Sequence, residues 1–453
     1  MRTIESRRDS QSPHVSTSGR LRTGLAIAVL ITASLWRLWP AVDTTPFHRD
    51  EARWIGNSAV LREWRHPLSI RWQDEGYRNV YGTLDEVNRR RSQPPLAMYV
   101  FGIGMIVQGE GLPTTGYWIM SQDDEWNADH GNMPSQGELQ AARRTNVVIA
   151  ILTVLGLFAI GMRMTNRVGG LVAGLGYALH PLVLDTSTRA WSDPLVVFCV
   201  VAAAVAAIRF GDRPTIGRAA VIGVCLGLGA AAKLSPLMLA FVFGACGIAP
   251  FIWGVLRRKR TAVRSGLALA SIPLVAAVAF LASYPYLWTD PITRTRRMFA
   301  FRTLSFDLQA LVSPHARVSG LGDTTRRFGV QLAQRDSIGG FLLTEFDLNP
   351  AWSWLREIDL MLAALGWVLL VALLFRREFD PGMTLPAVVL GGEAALIAAT
   401  FRLDYARYML PLVPALTIGI GIVCGLAWSV AAGYVHVVTM EGHAPTAVSE
   451  TAT

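Results

Sequence analysis

The sequence predicts an all-α protein that crosses a membrane many times, and three observations lead to this fold class. Of its 453 residues, 52% are hydrophobic and 17% are charged, whereas soluble domains carry about 25% charged residues. The mean hydropathy is +0.35. Several nearly uncharged runs also approach the length that a helix needs to span a bilayer, about 20 residues. We therefore expect a polytopic helical fold.

The apolar runs predict ten membrane spans. Their approximate bounds are 23–41, 144–162, 168–184, 194–210, 217–232, 234–255, 265–287, 358–375, 383–400 and 409–431. The run at 94–108 is excluded, because its helix would be only about 22 Å long. A signal peptide is the alternative for residues 1–40, but Trp36 and Trp39 at the end of the first run favour a retained anchor. Residues 1–22 are predicted to be a disordered tail, and 432–453 a C-terminal tail.

Arginine and lysine residues in the short connections predict the orientation. All of them fall on one side of the ten spans, at Arg20, Arg22, Arg163, Arg167, Arg209, Arg213, Arg218, 257–260, Arg376 and Arg377. By the positive-inside rule, this side and both termini face the cytoplasm of a cell membrane. The long connections, about 42–142 and 288–357, are then external. Interfacial helices are predicted at 51–64 and 94–108 within the first of them.

The +9 net charge does not indicate a nucleic-acid partner. The basic residues cluster at the ends of apolar runs, where lipid headgroups account for them. Four cysteines lie inside apolar runs and are predicted to be small core residues: Cys199, Cys225, Cys246 and Cys424. No histidine has HExxH spacing, so neither a resident metal nor another cofactor is predicted. A loosely bound divalent cation stays open.

Acidic residues in the external segments are candidates for acid–base chemistry. Asp50 and Glu51 follow the first span in "FHRDEARWI", and Asp193 precedes Pro194. A partly desolvated carboxylate has a raised pKa that suits a general base, although Arg49 or Arg53 would lower it. The alternative for both Asp50 and Asp193 is a helix N-cap.

Basic residues near the same segments are candidates for binding an anion. Lys233 separates two apolar runs, so it either meets a phosphate or extends to the membrane surface. Arg402 and Arg407 flank Asp404, and one of the two arginines is predicted to pair with it. The other, for which Arg407 is favoured, is then available for a phosphate.

Six motifs in order resemble a known superfamily. They are "DExR", "PPLxxY", "PLVLDTSTRAWSDPLVVF", "GLGAAAKLSPLMLAF", "YPYLWTDP" and "YARYMLPLVP". Together, from about residue 23 to 425, they resemble the polyprenyl-phosphate-dependent glycosyltransferases of the GT-C fold, which include protein O-mannosyltransferases and aminoarabinose lipid A transferases. The resemblance implies that Asp50 is catalytic with Glu51 as its neighbour, and that Asp193, preceded by Arg189, is the second external acid. Where the family often has Lys or His before "PPL", this chain has Gln93, and Arg89–Arg91 stand close enough to substitute.

The predicted function is transfer of a sugar from a polyprenyl-phosphate donor to a lipid, glycan or protein acceptor on the outer face of the membrane. Asp50 is the predicted general base, and the predicted phosphate ligands are Arg53, Arg189, Lys233 and Arg407. One alternative is a lipid or sugar transporter or flippase, which would place charges near mid-membrane rather than in external loops. A non-catalytic membrane scaffold is the other.

Overall fold

The computed structural model describes residues 17–73, 93–116, 118–377 and 379–441. In chain order, the first helices are α1 (Thr17–Leu38), α2 (Ala41–Thr44), α3 (Arg49–Asn57), α4 (Ile70–Gln73), α5 (Leu96–Val107), α6 (Asp124–Asp129), α7 (Gln136–Met164), α8 (Arg167–Leu179), α9 (Pro181–Ser187) and α10 (Asp193–Asp212). The others are α11 (Ile216–Ala232), α12 (Ser235–Leu256), α13 (Arg260–Ala270), α14 (Ile272–Ala282), α15 (Pro291–Val312), α16 (Leu321–Gly329), α17 (Ile338–Glu345), α18 (Leu355–Arg376), α19 (Pro381–Thr400) and α20 (Val413–Glu441). Short 3-10 helices cover Ser58–Arg65, Pro285–Leu287, Pro314–Ala316, Pro350–Trp352 and Ala406–Leu412, and a π-helix covers Val330–Arg335.

Eight helical stretches in the described part of the chain are long and apolar enough to cross a membrane. They are Gly19–Thr44, Gln136–Met164, Asp193–Asp212, Ser235–Leu256, Arg260–Ala282, Leu355–Arg376, Pro381–Thr400 and Ala406–Gly433. The pair α8 and α9 would be a ninth span, bent by 58° between Leu179 and Pro181. The predicted span at 217–232 corresponds to α11, whose 17 residues reach only about 25 Å. By length and composition, the described residues therefore provide eight spans, or nine with the bent pair, and α11 is a shorter apolar helix.

Glycines let the central spans approach each other closely. A Cβ atom on Gly366 of α18 would overlap the carbonyl of Gly419 in α20, and one on Gly421 of α20 would meet the carbonyl of Gly169 in α8. Because lipid is as apolar as a helix surface, such close packing is a main source of association between membrane helices. In the most apolar part of the stretch Ala406–Gly433, 83% of the residues are buried inside the protein, so this stretch forms the centre of the bundle.

Ion pairs show which connections share an end of the bundle. Arg163 Nη2 lies 2.9 Å from Asp380 Oδ2 and 3.5 Å from Asp212 Oδ1. These contacts bring together the basic connections that follow α7, α10 and α18. The described parts of the segments 42–142 and 288–357 lie at the opposite end, which we call the loop end. The grouping of the basic connections agrees with the arginine pattern of the sequence. The side of the membrane that each end faces stays a prediction.

Several local predictions need correction. Residues 51–64 form not one surface helix but the end of α3 followed by a 3-10 helix, and α5 buries Ala97, Phe101 and Met105 against its neighbours. Residues 17–22, predicted to belong to a disordered tail, are the first turns of α1, and α20 extends into the C-terminal tail as far as Glu441. Cys246 is exposed on α12 rather than in the core, since an apolar run does not show which side of a helix faces lipid.

Candidate active site

The helix α3 begins with a capping box that leaves the Asp50 side chain available. His48 Nδ1 accepts a hydrogen bond from the Asp50 amide at 3.1 Å, and Glu51 Oε2 accepts one from the His48 amide at 3.0 Å. The N-cap of α3 is therefore His48, and the cap interpretation of Asp50 is wrong. Glu51 takes the position three residues after the cap that Glu prefers in this motif.

The Asp50 carboxylate lies between two arginines. Arg407 Nη1 donates to Asp50 Oδ2 at 2.6 Å, and Arg53 Nη1 lies 3.6 Å from Asp50 Oδ1. The side chains of Asp50 and Arg407 stay 17% and 21% exposed. This pair joins the first long connection of the loop end to the start of the span Ala406–Gly433.

The charge around Asp50 sets its protonation state. Burial raises the pKa of Asp50, but the nearby charges of Arg407 and Arg53 and the hydrogen bond from Arg407 outweigh burial, so its pKa is lowered. The sequence anticipated both the effect of burial and the opposing effect of Arg53, but it could not show that Arg407 lies beside Asp50 and lowers its pKa further. Arg49 instead pairs with Asp124 at 2.8 Å. Asp50 is thus ionised at neutral pH and able to accept a proton.

A second ion pair lies beside the first. Asp193 is the first residue of α10, and its Oδ1 accepts a hydrogen bond from Lys233 Nζ at 2.9 Å. The N-cap of α10 is Ser192, so the cap interpretation of Asp193 is also wrong. The Lys233 ammonium turns inward to Asp193 and lies 4.1 Å from the centroid of the Tyr408 ring. We call Asp50, Arg53, Asp193, Lys233 and Arg407 the charged cluster.

Two aromatic rings hold the cations of the charged cluster in place. The Arg407 guanidinium lies 4.9 Å from the centroid of the Trp191 ring and 5.5 Å from that of Tyr408. Arg189 also lies over Trp191, at 5.2 Å. Such cation–π contacts stabilise a guanidinium by about 0.5–2 kcal/mol. Sequence reasoning missed Trp191, although its position between Arg189 and Asp193 was a signal.

A buried arginine fixes the chain on which Asp50 lies. Glu51 is 0% exposed, and Arg143 Nε and Nη2 each donate to its carboxylate at 2.8 Å. The Ala190 amide donates to Glu51 Oε1 at 2.9 Å. Arg143 also donates to the carbonyls of Val42, Thr45 and Pro46 at 2.8, 2.9 and 3.3 Å, respectively. This network ties the start of α3 to α7 and to the connection between α9 and α10.

Arg143 was also missed by sequence reasoning, and the signal was its location. It lies at the loop end of its span, opposite to the basic connections. An arginine that departs from the positive-inside pattern is a candidate for an internal partner.

The remaining predicted residues have other partners. Arg189 Nη1 donates to the Pro46 carbonyl at 2.7 Å, and Arg189 Nε lies 3.1 Å from Asp185 Oδ1. Asp404 pairs with Arg327 at 2.6 Å, so the predicted ion pair with Arg402 or Arg407 is wrong. The sequence could not show this pair, because 77 residues separate its members. Arg89–Arg91 lie outside the described residues.

The chain is similar to known proteins in its three-dimensional structure. No family model and no curated protein matches the sequence. Among solved structures, the chain is similar to ArnT from Cupriavidus metallidurans bound to undecaprenyl phosphate, with 15% identity and a TM-score of 0.51 over 90% of this chain. It is also similar to the archaeal oligosaccharyltransferase AglB from Archaeoglobus fulgidus in complex with an inhibitory peptide and a dolichol-phosphate, with 13% identity and a TM-score of 0.47 over 95% of this chain.

The chain spans 60% of the length of that ArnT chain and 53% of that AglB chain. At this identity, the likeness to ArnT bears on the fold alone. It confirms the fold predicted from the sequence motifs: the chain is an all-α polytopic membrane protein with the GT-C fold of ArnT.

Proposed function

We propose that the chain is a membrane glycosyltransferase, which moves a sugar from a polyprenyl-phosphate donor to an acceptor at the loop end. The observation that carries the proposal is the charged cluster, which puts a partly exposed ionised carboxylate next to cations at the ends of apolar helices. A lipid phosphate needs such cations, and an acceptor hydroxyl needs such a base. The fold shared with ArnT, whose structure contains undecaprenyl phosphate, supports the same conclusion.

Asp50 acts as the general base in this proposal. Its ionised carboxylate takes the proton of the acceptor hydroxyl while the oxygen of that hydroxyl attacks the sugar carbon. The bond between this carbon and the phosphate oxygen breaks, and the phosphate leaves with the electron pair. Glu51 is fully buried, so it positions Asp50 through Arg143 rather than touching substrate.

Arg407 and Lys233 bind the phosphate in this proposal. Both now pair with carboxylates, Arg407 with Asp50 and Lys233 with Asp193. An incoming phosphate competes for the planar fork of Arg407, which frees one side of Asp50 for the acceptor. Arg53 stays near Asp50 as a further cation. Arg189 is assigned a positioning role, because its donors already meet Pro46 and Asp185.

The test is a transfer assay with the purified chain in lipid vesicles. Radiolabelled sugars on polyprenyl phosphate are offered as donors, together with lipid, glycan and peptide acceptors. Release of lipid phosphate with label on an acceptor supports the proposal. The bend between α8 and α9 is the feature that favours a transporter, because broken helices line transport paths. Donor movement across the vesicle without transfer would establish that alternative.

Loss of either cation should slow transfer. Lys233→Met and Arg407→Gln should each raise the activation free energy of transfer by about 2–4 kcal/mol, because each removes a fixed group that stabilises developing charge. The measurement is the turnover number at saturating donor. Loss of donor affinity without loss of turnover would mean that the cations bind the phosphate equally well in the ground state and in the transition state. Unchanged turnover and affinity in both folded variants would contradict the assignment.

The pH dependence gives Arg407→Gln a second readout. The positive charge of Arg407 favours the ionised form of Asp50, so its removal raises the pKa of Asp50. The pH at which transfer falls on the acid side should therefore move upward in Arg407→Gln. Arg402→Gln is the matched control, because the partner of the neighbouring Asp404 is Arg327 rather than Arg402. Arg402→Gln should leave this pH unchanged.

We further propose that both termini face the cytoplasm and that the loop end faces the outside of a cell membrane, as the arginine pattern indicates. Ser121 is exposed in the first long connection, whereas Asn132 is buried and unsuitable for labelling. In a background without the four native cysteines, Ser121→Cys should react with an impermeant thiol reagent on intact cells. Reaction only after the cells are broken would reverse the proposed orientation.

A further inference from the structure

A buried carboxyl group lies behind Lys233. Glu393 is in the membrane-spanning helix α19, is 0% exposed, and has no hydrogen bond to either carboxyl oxygen within the described residues. Burying a polar group without a hydrogen bond is costly. Ionisable groups inside a membrane span are therefore retained mainly where they have a role. Neither the fold nor the proposed phosphate contacts account for Glu393.

The groups that act on Glu393 lie on the connection between α11 and α12. They are the ammonium of Lys233 and the hydroxyl of Ser235, which itself has no hydrogen bond of normal geometry within the described residues. Glu393 precedes the end of α19 at Thr400 by seven residues, or about 10 Å along the helix. The connection between α11 and α12 therefore lies beside the interior of α19 rather than beside its end, and we call this place the recess.

Other charges on the elements around α19 have partners of their own. Four ion pairs account for these charges: Asp193 with Lys233, Asp50 with Arg407, Asp404 with Arg327, and Asp380 with Arg163 at the opposite end of the bundle. The Tyr408 ring lies against Lys233. Lys233 therefore acts on two carboxyl groups: it contacts Asp193 directly, and its charge acts on Glu393 without a direct hydrogen bond between the two side chains.

We infer that Glu393 is a positioning residue, which takes up a proton from solution when Lys233 turns towards a bound donor phosphate. This step rests on the proposed function. The phosphate adds negative charge to the recess and draws the ammonium away from Glu393. One proton then joins a Glu393 oxygen and offsets one of the added charges. Glu393 acts through Lys233 and does not touch the substrate.

The experiment is infrared difference spectroscopy on the full chain in lipid vesicles, with and without a polyprenyl phosphate that carries no sugar. In the wild type, phosphate binding should add the band of one protonated carboxyl group. Glu393→Gln should remove that band. Glu357→Gln, a matched change of an exposed glutamate on α18, should retain it. Glu393→Asp should shift the band in frequency without removing it, and it replaces the Gln variant if that variant does not fold.

A second readout is donor affinity against pH. Because binding takes up a proton, wild-type affinity should fall as the pH rises, by up to about tenfold per pH unit. Glu393→Gln should flatten this dependence relative to wild type. Bound phosphate without the wild-type band, or an equal band in Glu393→Gln, overturns the inference and leaves the proposed function standing. Failure of the polyprenyl phosphate to bind the wild type overturns both.

Discussion

Asp50→Asn should lower sugar transfer by about 10²–10⁴-fold, the range for the loss of a general base. Asparagine has nearly the same size, and its carbonyl oxygen can still accept a hydrogen bond from Arg407. It carries no charge and cannot take the proton of the acceptor hydroxyl. Donor binding and thermal stability should therefore change much less than turnover. The measurement is the rate of labelled product formation at saturating donor and acceptor.

Asp124→Asn is the matched control for this variant. Asp124 lies in the same long connection and also pairs with an arginine, Arg49, but its side chain is 54% exposed. Exposed ion pairs contribute about 0–1 kcal/mol. The control should transfer sugar at close to the wild-type rate. Wild-type turnover in a folded Asp50→Asn protein would show that another group takes the proton.

Arg143→Met should destabilise the protein by about 3–5 kcal/mol, because it leaves the carboxylate of Glu51 buried without its cation. The carbonyls of Val42, Thr45 and Pro46 lose donors at the same time. The measurement is the free energy of unfolding of the purified protein by denaturant titration. Combining this change with Glu51→Gln should recover part of the loss, since no uncompensated charge then remains.

Arg144→Met is the control for position and chemistry. Arg144 is the next residue of α7, is partly exposed, and lies 5.7 Å from the centroid of the Trp39 ring. Because Arg144 has no buried ionic partner in the described part of the chain, its replacement should lower the free energy of unfolding by about 1 kcal/mol or less. If Arg143→Met costs no more than Arg144→Met, the network around Glu51 does not hold the start of α3.

The spans and the grouping of basic connections could be predicted from the sequence, because apolar length and arginine position are local signals. The α11 helix shows the limit of this approach. Its composition resembles that of a full span, and only the structure shows that the helix has 17 residues, which reach about 25 Å.

The members of the charged cluster were also predictable, but their pairing was not. Charge and motif order selected Asp50 and Arg407, yet the nearest acid to Arg407 in the sequence, Asp404, pairs with Arg327 instead. Partners that come together only on folding leave no local pattern. Glu393 was missed for a related reason: one acid in an apolar run gives no indication of whether it faces lipid or a lysine.

The pairing of Asp50 with Arg407 also bears on how the protein is made. The two residues are 357 positions apart, so the span that carries Arg407 is synthesised long after Asp50. Until that span inserts, Asp50 has no Arg407 beside it, and the centre of the bundle is missing. A nascent chain therefore has no assembled charged cluster. Competence for the proposed reaction would arise only after the span that carries Arg407 has joined the bundle.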